Sequence, residues 1–411
     1  MFDSVSRPER LLFGGASVLL AVHTVVDAFL APQQGTSWND HLAPGLAPLL
    51  LLGAANLAYV RLRPGARATI AAVLGVLAIE GAGLALADAS RTFGRASDWT
   101  GFLLGPAGLA LLALAVVLLW RSRRSSGRRY LRRVLVSAAV VVGTYWLLVP
   151  AAMALYATHR PRAEVKAAGL GAPYRSVTVR TADGLNLSGS YVRSHNGAAV
   201  ISFPTRLGKL PQARMLIRHG YGVLILDMRG YEGSDGSPNA FGWGSTKDID
   251  AAVAWLQRQP DVHDGRIGGI GYSVGGEQML EAAAENPGLK AVVSEGAGER
   301  SVRETLIRGP RGWPAVPAMA AQSAVLAVLS QTLPPPSLED AVARISPRAV
   351  FFVYAGHGAA GEELNRDFYR AAAQPKAIWR IPESRHTGGL TARPLEYEHR
   401  VIGFLDHALL K

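Results

Sequence analysis

The hydrophobic pattern changes character near residue 157. Before that point the chain carries five long apolar runs, Leu11–Ala31, Leu42–Val60, Ala68–Ala87, Gly101–Trp120 and Val134–Tyr156. At ~1.5 Å rise per residue, a helix of about 20 residues crosses the ~30 Å hydrocarbon core of a bilayer. Five such runs in succession, almost without charge, predict a five-helix transmembrane domain over residues 1–157, followed by a linker over 158–173. The first run is too long for a cleaved signal, and Pro32 follows it directly, so it reads as an uncleaved signal-anchor.

Beyond the linker the apolar stretches shorten and alternate with amphipathic ones. Tyr174–Thr181 and Leu185–Val192 read as strands around the Asp183-Gly184 turn. Ala198–Phe203, Gly222–Met228, Ile267–Gly271, Ala291–Ser294, Ala349–Tyr354 and Ala377–Ile381 read as further strands. Helices are predicted near Thr246–Gln259, Gly275–Asn286, Glu362–Ala373 and Leu395–Leu410. Continuous apolar strands separated by helices imply a mostly parallel, doubly wound sheet covered on both faces over 174–411. Residues 299–347 break the alternation. They are rich in proline and hold the apolar stretch Ala315–Leu333, and they read as an inserted lid, with a re-entrant or sixth membrane segment as the alternative.

Composition sharpens the first half more than the second. Only 18% of residues are charged, and mean hydropathy is +0.15. There is no cysteine, which excludes disulfides, thiolate metal sites and a cysteine nucleophile. The net charge of +12 invites a nucleic-acid reading, but the position of the charge argues otherwise. Seven arginines crowd Arg121–Arg133, between the fourth and fifth apolar runs, where anionic lipid is the expected neighbour. Arginines flank the N-terminus (Arg7, Arg10) and the loop Arg61–Arg67, whereas Pro32–His41 has none and Asp88–Thr100 has two. By the positive-inside rule the N-terminus is cytoplasmic, and five spans place residues after Tyr156 outside the cytoplasm. His23 and Asp27, one helical turn apart in the first run, and Glu80 in the third are candidate functional groups, because ionisable side chains in hydrocarbon are costly.

The chemistry concentrates at Gly271-Tyr272-Ser273-Val274-Gly275, a G-x-S-x-G pattern that follows a predicted strand and opens a predicted helix. A serine there sits on a sharp turn with its hydroxyl exposed, and the helix N-terminus offers N–H groups to a developing oxyanion. With LILDMRGYEGSDG at 224–236 and IPESRHTGGL at 381–390, residues from about 172 to 411 resemble the α/β-hydrolase family. The resemblance implies an eight-stranded sheet and a nucleophile–acid–histidine triad in the order Ser…Asp/Glu…His.

On that resemblance Ser273 is the expected nucleophile and His386, between the last strand and last helix, the base. His357, His399 and His407 are placed less well. For the acid, Glu362 is the first choice, with Glu363, Glu295 and Asp367 as rivals. Val274 and Thr205 are the expected oxyanion-hole donors. The family's usual His-Gly after the third strand is Phe203-Pro204-Thr205 here, and Pro204 has no N–H to give. Asp227 and Arg229 are expected to support their loop.

The expected function is a membrane-anchored, extracytoplasmic serine hydrolase acting on an ester, thioester or amide, with a small-molecule or lipid-like acyl substrate. It needs no cofactor or metal, and no nucleic acid partner is expected. An acyltransferase, or a binding or sensory protein built on a weak or inactive hydrolase fold, is the alternative; transport through His23, Asp27 and Glu80 is a third.

Overall fold

A computed structural model describes residues 5–31, 38, 42–89, 96–122, 126–158, 169–203, 210–359 and 361–411. The chain forms two compact units, Met1–Pro150 and Ala151–Lys411.

The first unit is helical: α1 (Arg7–Val25, prolonged by a π-helical turn to Leu30), α2 (Leu42–Tyr59), α3 (Pro64–Ala89), α4 (Ala96–Ser122) and α5 (Gly127–Gly143). A second π-helical turn, Thr144–Leu148, leads from α5 to α6 (Val149–Thr158), most of which belongs to the second unit. Small residues let α3 and α4 approach closely, for a Cβ on Gly108 would lie 2.8 Å from the Gly75 carbonyl oxygen. At the opposite extreme of polarity, Glu9 and Arg67 form a buried ion pair of 2.9 Å, and the Tyr59 hydroxyl donates to the same carboxylate. The sequence reading counted Arg67 among loop arginines; the structure places it inside α3, 2% exposed.

Among the described residues, five helical stretches are long and apolar enough to cross a membrane: Arg7–Leu30, Pro64–Gly83, Trp99–Arg121, Gly127–Thr158 and Gly309–Ser330. Four correspond to runs read from the sequence. The remaining run forms a shorter apolar helix, Gly45–Tyr59, and the fifth stretch lies in the segment expected to be a lid.

The second unit is built on β1 (Arg175–Arg180), β2 (Asn186–Val192), β3 (Ala199–Phe203), α7 (Leu210–Arg218), β4 (Gly222–Leu226), α8 (Thr246–Leu256), β5 (Ile267–Tyr272), α9 (Val274–Glu285) and β6 (Ala291–Glu295). The insertion follows, with α10 (Val302–Ile307), α11 (Val316–Ser330) and α12 (Leu338–Val342). The chain closes with β7 (Ala349–His357), α13 (Asn365–Ala371), β8 (Lys376–Arg385), α14 (Gly389–Ala392) and α15 (Pro394–Leu409). The sequence reading missed α7, whose nine residues are too few for a periodic pattern to stand out; Ala213, Met215 and Leu216 are buried.

Eight strands form one sheet in the order β1-β2-β4-β3-β5-β6-β7-β8. β2 pairs antiparallel with β1 and β4, and all later neighbours are parallel. This is the doubly wound, mostly parallel sheet that the continuous apolar strands predict. Two apolar cores cover its faces: α8, α9 and α13 supply one with Ile249, Met279 and Phe368, and α7 and α15 supply the other with Leu216 and Leu405. In parallel strands all C-terminal ends share one edge, and ligand sites in such sheets gather there.

The insertion is stapled at its base. Glu304, fully buried, accepts from the main-chain N–H of Arg300 (2.8 Å) at its start and of Leu338 (2.6 Å) at its end. Arg300 adds a bond to the Pro336 carbonyl and a 2.5 Å ion pair with Glu281 on α9.

Candidate active site

The turn between β5 and α9 carries Ser273 in a conformation that few non-glycine residues adopt, φ 54° and ψ −125°. Such a conformation costs about 1–3 kcal/mol and persists only where its surroundings fix it. Three observations account for that fixing. The Ser273 N–H donates to the main-chain oxygen of Glu295 at 2.9 Å, tying the turn to β6. A Cβ on Gly271 would lie 2.2 Å from the Gly275 oxygen, and one on Gly276 would lie 2.7 Å from Ser294 Oγ. Only hydrogen fits at both positions, so the spacing of glycines around the serine follows from the sharpness of the turn. Val274 opens α9, and its N–H is among the first four that find no partner within a helix.

His386 lies just beyond β8, half-buried. Its Nε2 is 2.8 Å from Ser273 Oγ, and its Nδ1 is 2.8 Å from Glu362 Oε2. Glu362 begins a short 3₁₀ turn after β7 and is 2% exposed. Its carboxylate also accepts from the Ala355 N–H at Oε1 (2.8 Å) and the Ala359 N–H at Oε2 (2.9 Å). Both carboxylate oxygens thus act as acceptors of N–H groups, and Nδ1 is a third N–H that Oε2 can accept. Nδ1 is therefore the donor to Glu362, which leaves Nε2 free to accept from the serine hydroxyl. The three residues make one hydrogen-bonded chain.

The rival carboxylates are occupied elsewhere. Glu295 ends β6, buried, and accepts from the Gly389 N–H (2.8 Å) and the Tyr397 hydroxyl (2.6 Å). Burial first, and the Glu295 charge second, hold the Tyr397 phenol far above its usual range, so it remains a donor. Glu363 turns outward to Arg308 at 3.0 Å, and Asp367 pairs with Arg370 at 2.7 Å. Pro204 and Thr205 lie outside the described residues.

Arg229 acts as a clamp, with Asp183 at 2.9 Å and the fully buried Asp248 at 2.7 Å. Hydrogen bonding to Arg229 holds the Asp183 carboxyl well below the usual range. Asp248, which the sequence reading did not single out, gives the loop after β4 its second anchor by also accepting the Arg229 N–H. Also unforeseen was Glu277, one turn beyond the serine. Burial pushes it up to about 8, and its carboxyl accepts from the Gly298 N–H at 3.1 Å. An acidic residue in the first turn of a helix gives no sequence signal that separates burial from exposure.

A cavity of about 780 Å³ lies between the loop after β4 and the insertion, lined among others by Arg229, Trp243, Lys247, Glu281 and Pro334. Ser273, Glu362 and His386 do not line it. In the first unit His23 Nδ1 is 3.0 Å from Thr100 Oγ1, and His23 lines an apolar cavity of about 310 Å³. Among the described residues no hydrogen bond or ion pair joins His23, Asp27 and Glu80.

Comparison with known proteins places this geometry. The sequence pattern of the X-Pro dipeptidyl-peptidase (S15) family matches residues 153–387. An uncharacterised protein of Mycobacterium tuberculosis H37Rv is 35% identical over 120 residues, 28% of this chain and 42% of that protein. The polyketide transferase GrgF of a Penicillium species is 32% identical over 137 residues, 30% of this chain and 44% of that protein. The alignments thus span less than half the length of these two curated relatives. YfhR of Salmonella typhi, also uncharacterised, is 24% identical over 262 residues, 57% of this chain and 82% of that protein. Among solved structures the esterase Pf2001 of Pyrococcus furiosus matches with a TM-score of 0.50 at 20% identity, over 60% of this chain and 97% of that one, a likeness of fold. With more than half its residues under the family pattern, the chain belongs to the X-Pro dipeptidyl-peptidase (S15) family.

Proposed function

We propose that the chain is a membrane-anchored serine hydrolase that acts outside the cytoplasm and cleaves an ester, thioester or amide through an acyl-enzyme on Ser273. The observation that carries this reading is the hydrogen-bonded chain Ser273–His386–Glu362. His386 takes the hydroxyl proton as Ser273 Oγ attacks the acyl carbon, and Glu362 steadies the imidazolium that forms. The Val274 N–H, with the Thr205 N–H from the segment after β3, stabilises the oxyanion. His386 returns the proton to the leaving group, then activates water to release the acid. Amide cleavage is the arm that the family's name supports.

Acyl transfer uses the same acyl-enzyme with a different acceptor. The kinship with the Penicillium polyketide transferase favours it as the second reading. The insertion 299–347 serves as the lid. The arginine-rich loops support a cytoplasmic N-terminus, with the hydrolase unit on the opposite face. The bilayer is then the first partner of this protein, and a lipid-like acyl compound suits its position.

A fluorophosphonate probe tests the reading on the full chain in detergent or membranes. Labelling at Ser273, absent in Ser273→Ala, is the expected result. Folded wild-type protein that stays unlabelled would overturn the catalytic account.

A further inference from the structure

The stretch Gly309–Ser330 presents a contradiction that the rest of the fold resolves. It is apolar enough to cross a membrane, with mean hydropathy 1.3 against 1.4 to 2.6 in the other four stretches, yet only 17% of it is buried. From Gly312 to Leu338 the chain has no charged residue. Despite this it does not cross a bilayer. β6 precedes the stretch and β7 follows it, and the two strands pair in parallel from Ala291↔Ala349 to Glu295↔Val353. A single crossing between them would put neighbouring strands of one sheet on opposite sides of a membrane.

A helix that is apolar all round is ordinarily buried. One side of α11 is: Leu326 belongs to a small buried apolar cluster with Trp243 and Ala154. The other side carries Pro317, Ala320, Ala324 and Val328, all exposed and spaced at three or four residues, with Val328 77% exposed. Trp313, 59% exposed, and Arg311 stand at the N-terminal end, and Leu333, 84% exposed, follows the helix.

The place of Ala154 in the chain points to what covers this face. Gly127–Thr158 is an apolar helix of 32 residues that begins in the arginine-rich loop. About 20 residues span the hydrocarbon core. Counted from Val134, the first residue past those arginines, that span ends at Met153. Ala154 therefore follows the far boundary of the core by one residue, and it belongs to the cluster that holds Leu326 of α11.

We infer that the segment from Trp313 to Leu333 lies in the interfacial layer of the bilayer, with the Pro317–Ala320–Ala324–Val328 stripe against phospholipid acyl chains. Exposed tryptophan and arginine at one end and an apolar face along the length are features of helices that rest in the headgroup region rather than span it. The base staple at Glu304 holds the segment in place. This inference rests on the membrane-anchored reading above and is independent of the serine chemistry.

The absence of native cysteine makes the test direct. Ala324→Cys and Val328→Cys are each labelled with an environment-sensitive fluorophore in the full chain, reconstituted into phosphatidylcholine–phosphatidylglycerol vesicles. Asp264→Cys, exposed at the opposite edge of the sheet before β5, is the control. Fluorophosphonate labelling, or the melting curve if the serine is inert, establishes that each variant is folded. The expected result is several-fold stronger quenching at 324 and 328 than at 264 by lipids bearing a nitroxide near the glycerol end of the acyl chain. Quenching at the control level, in protein that resists alkaline extraction, overturns the docking while the anchoring stands. Energy transfer between 328 labels on different copies, without lipid quenching, assigns the face to a second copy and also overturns it. Extraction of the protein from the vesicles overturns the anchoring and the docking together.

Discussion

Tyr397 on α15 donates its hydroxyl to Glu295 at 2.6 Å, and the main-chain oxygen of that same glutamate accepts the N–H of Ser273. The last helix is thus coupled, through one buried carboxylate, to the strained turn that presents the serine. This explains why a buried glutamate beside the nucleophile is a brace: both carboxylate oxygens are already bonded, to Tyr397 and to Gly389.

Tyr397→Phe should leave that carboxylate short of one donor. The expected cost is about 1–3 kcal/mol of stability, as for any buried polar group that loses its partner. The measurement is the denaturant midpoint of wild type and variant. An unchanged midpoint would mean that the bond to Glu295 carries no weight in the brace.

Glu362→Gln preserves shape but removes the acceptor that fixes the imidazole tautomer. Fluorophosphonate labelling should slow by up to about 10⁴, the scale on which a triad histidine in the wrong tautomer acts in a protease. Glu363→Gln, which loses only a surface pair with Arg308, should label at close to the wild-type rate. The reverse outcome would move the acid to Glu363.

Glu277 makes stability depend on pH. Its carboxyl is raised from an ordinary 4.5 to about 8, by burial first, against the opposing pull of Arg300 and the Gly298 N–H and with Glu281 and Glu304 adding to the rise. In the unfolded chain it ionises near 4.5, while in the folded chain it keeps its proton to about 8. The folded state therefore loses stability progressively as pH rises through that window. Glu277→Gln cannot titrate. The gap in Tm between variant and wild type should be small at pH 4.5 and widen in favour of the variant up to pH 8. A gap independent of pH would contradict the raised value.

Topology has its own measurement. A phosphatase reporter that is active only outside the cytoplasm, fused after Lys411, should give activity in cells, and a reporter restricted to the cytoplasm should be silent at the same site. The opposite pair of results would invert the orientation read from the arginines.

Much of this protein was legible in its sequence because the deciding physics is local. Alternation of apolar strands and helices fixes a parallel sheet, since such strands must be covered on both faces. Gly271, Ser273 and Gly276 announce a sharp strand-to-helix turn because side chains do not fit there. His386 could be placed by its position between the last strand and last helix. What the sequence left open was everything that depends on which group meets which across the fold. Four carboxylates were eligible beside His386 by chain position, and the choice among them rests on the loop after β7 folding back, where the N–H groups of Ala355 and Ala359 hold Glu362. Arg67 looked like a loop arginine until Glu9, far off in sequence, met it in the helical unit. The stretch 309–330 has the composition of a membrane span, yet the pairing of β6 with β7 forbids it to be one. Composition records what a segment would prefer to be surrounded by, whereas the closure of the sheet decides where that segment can go.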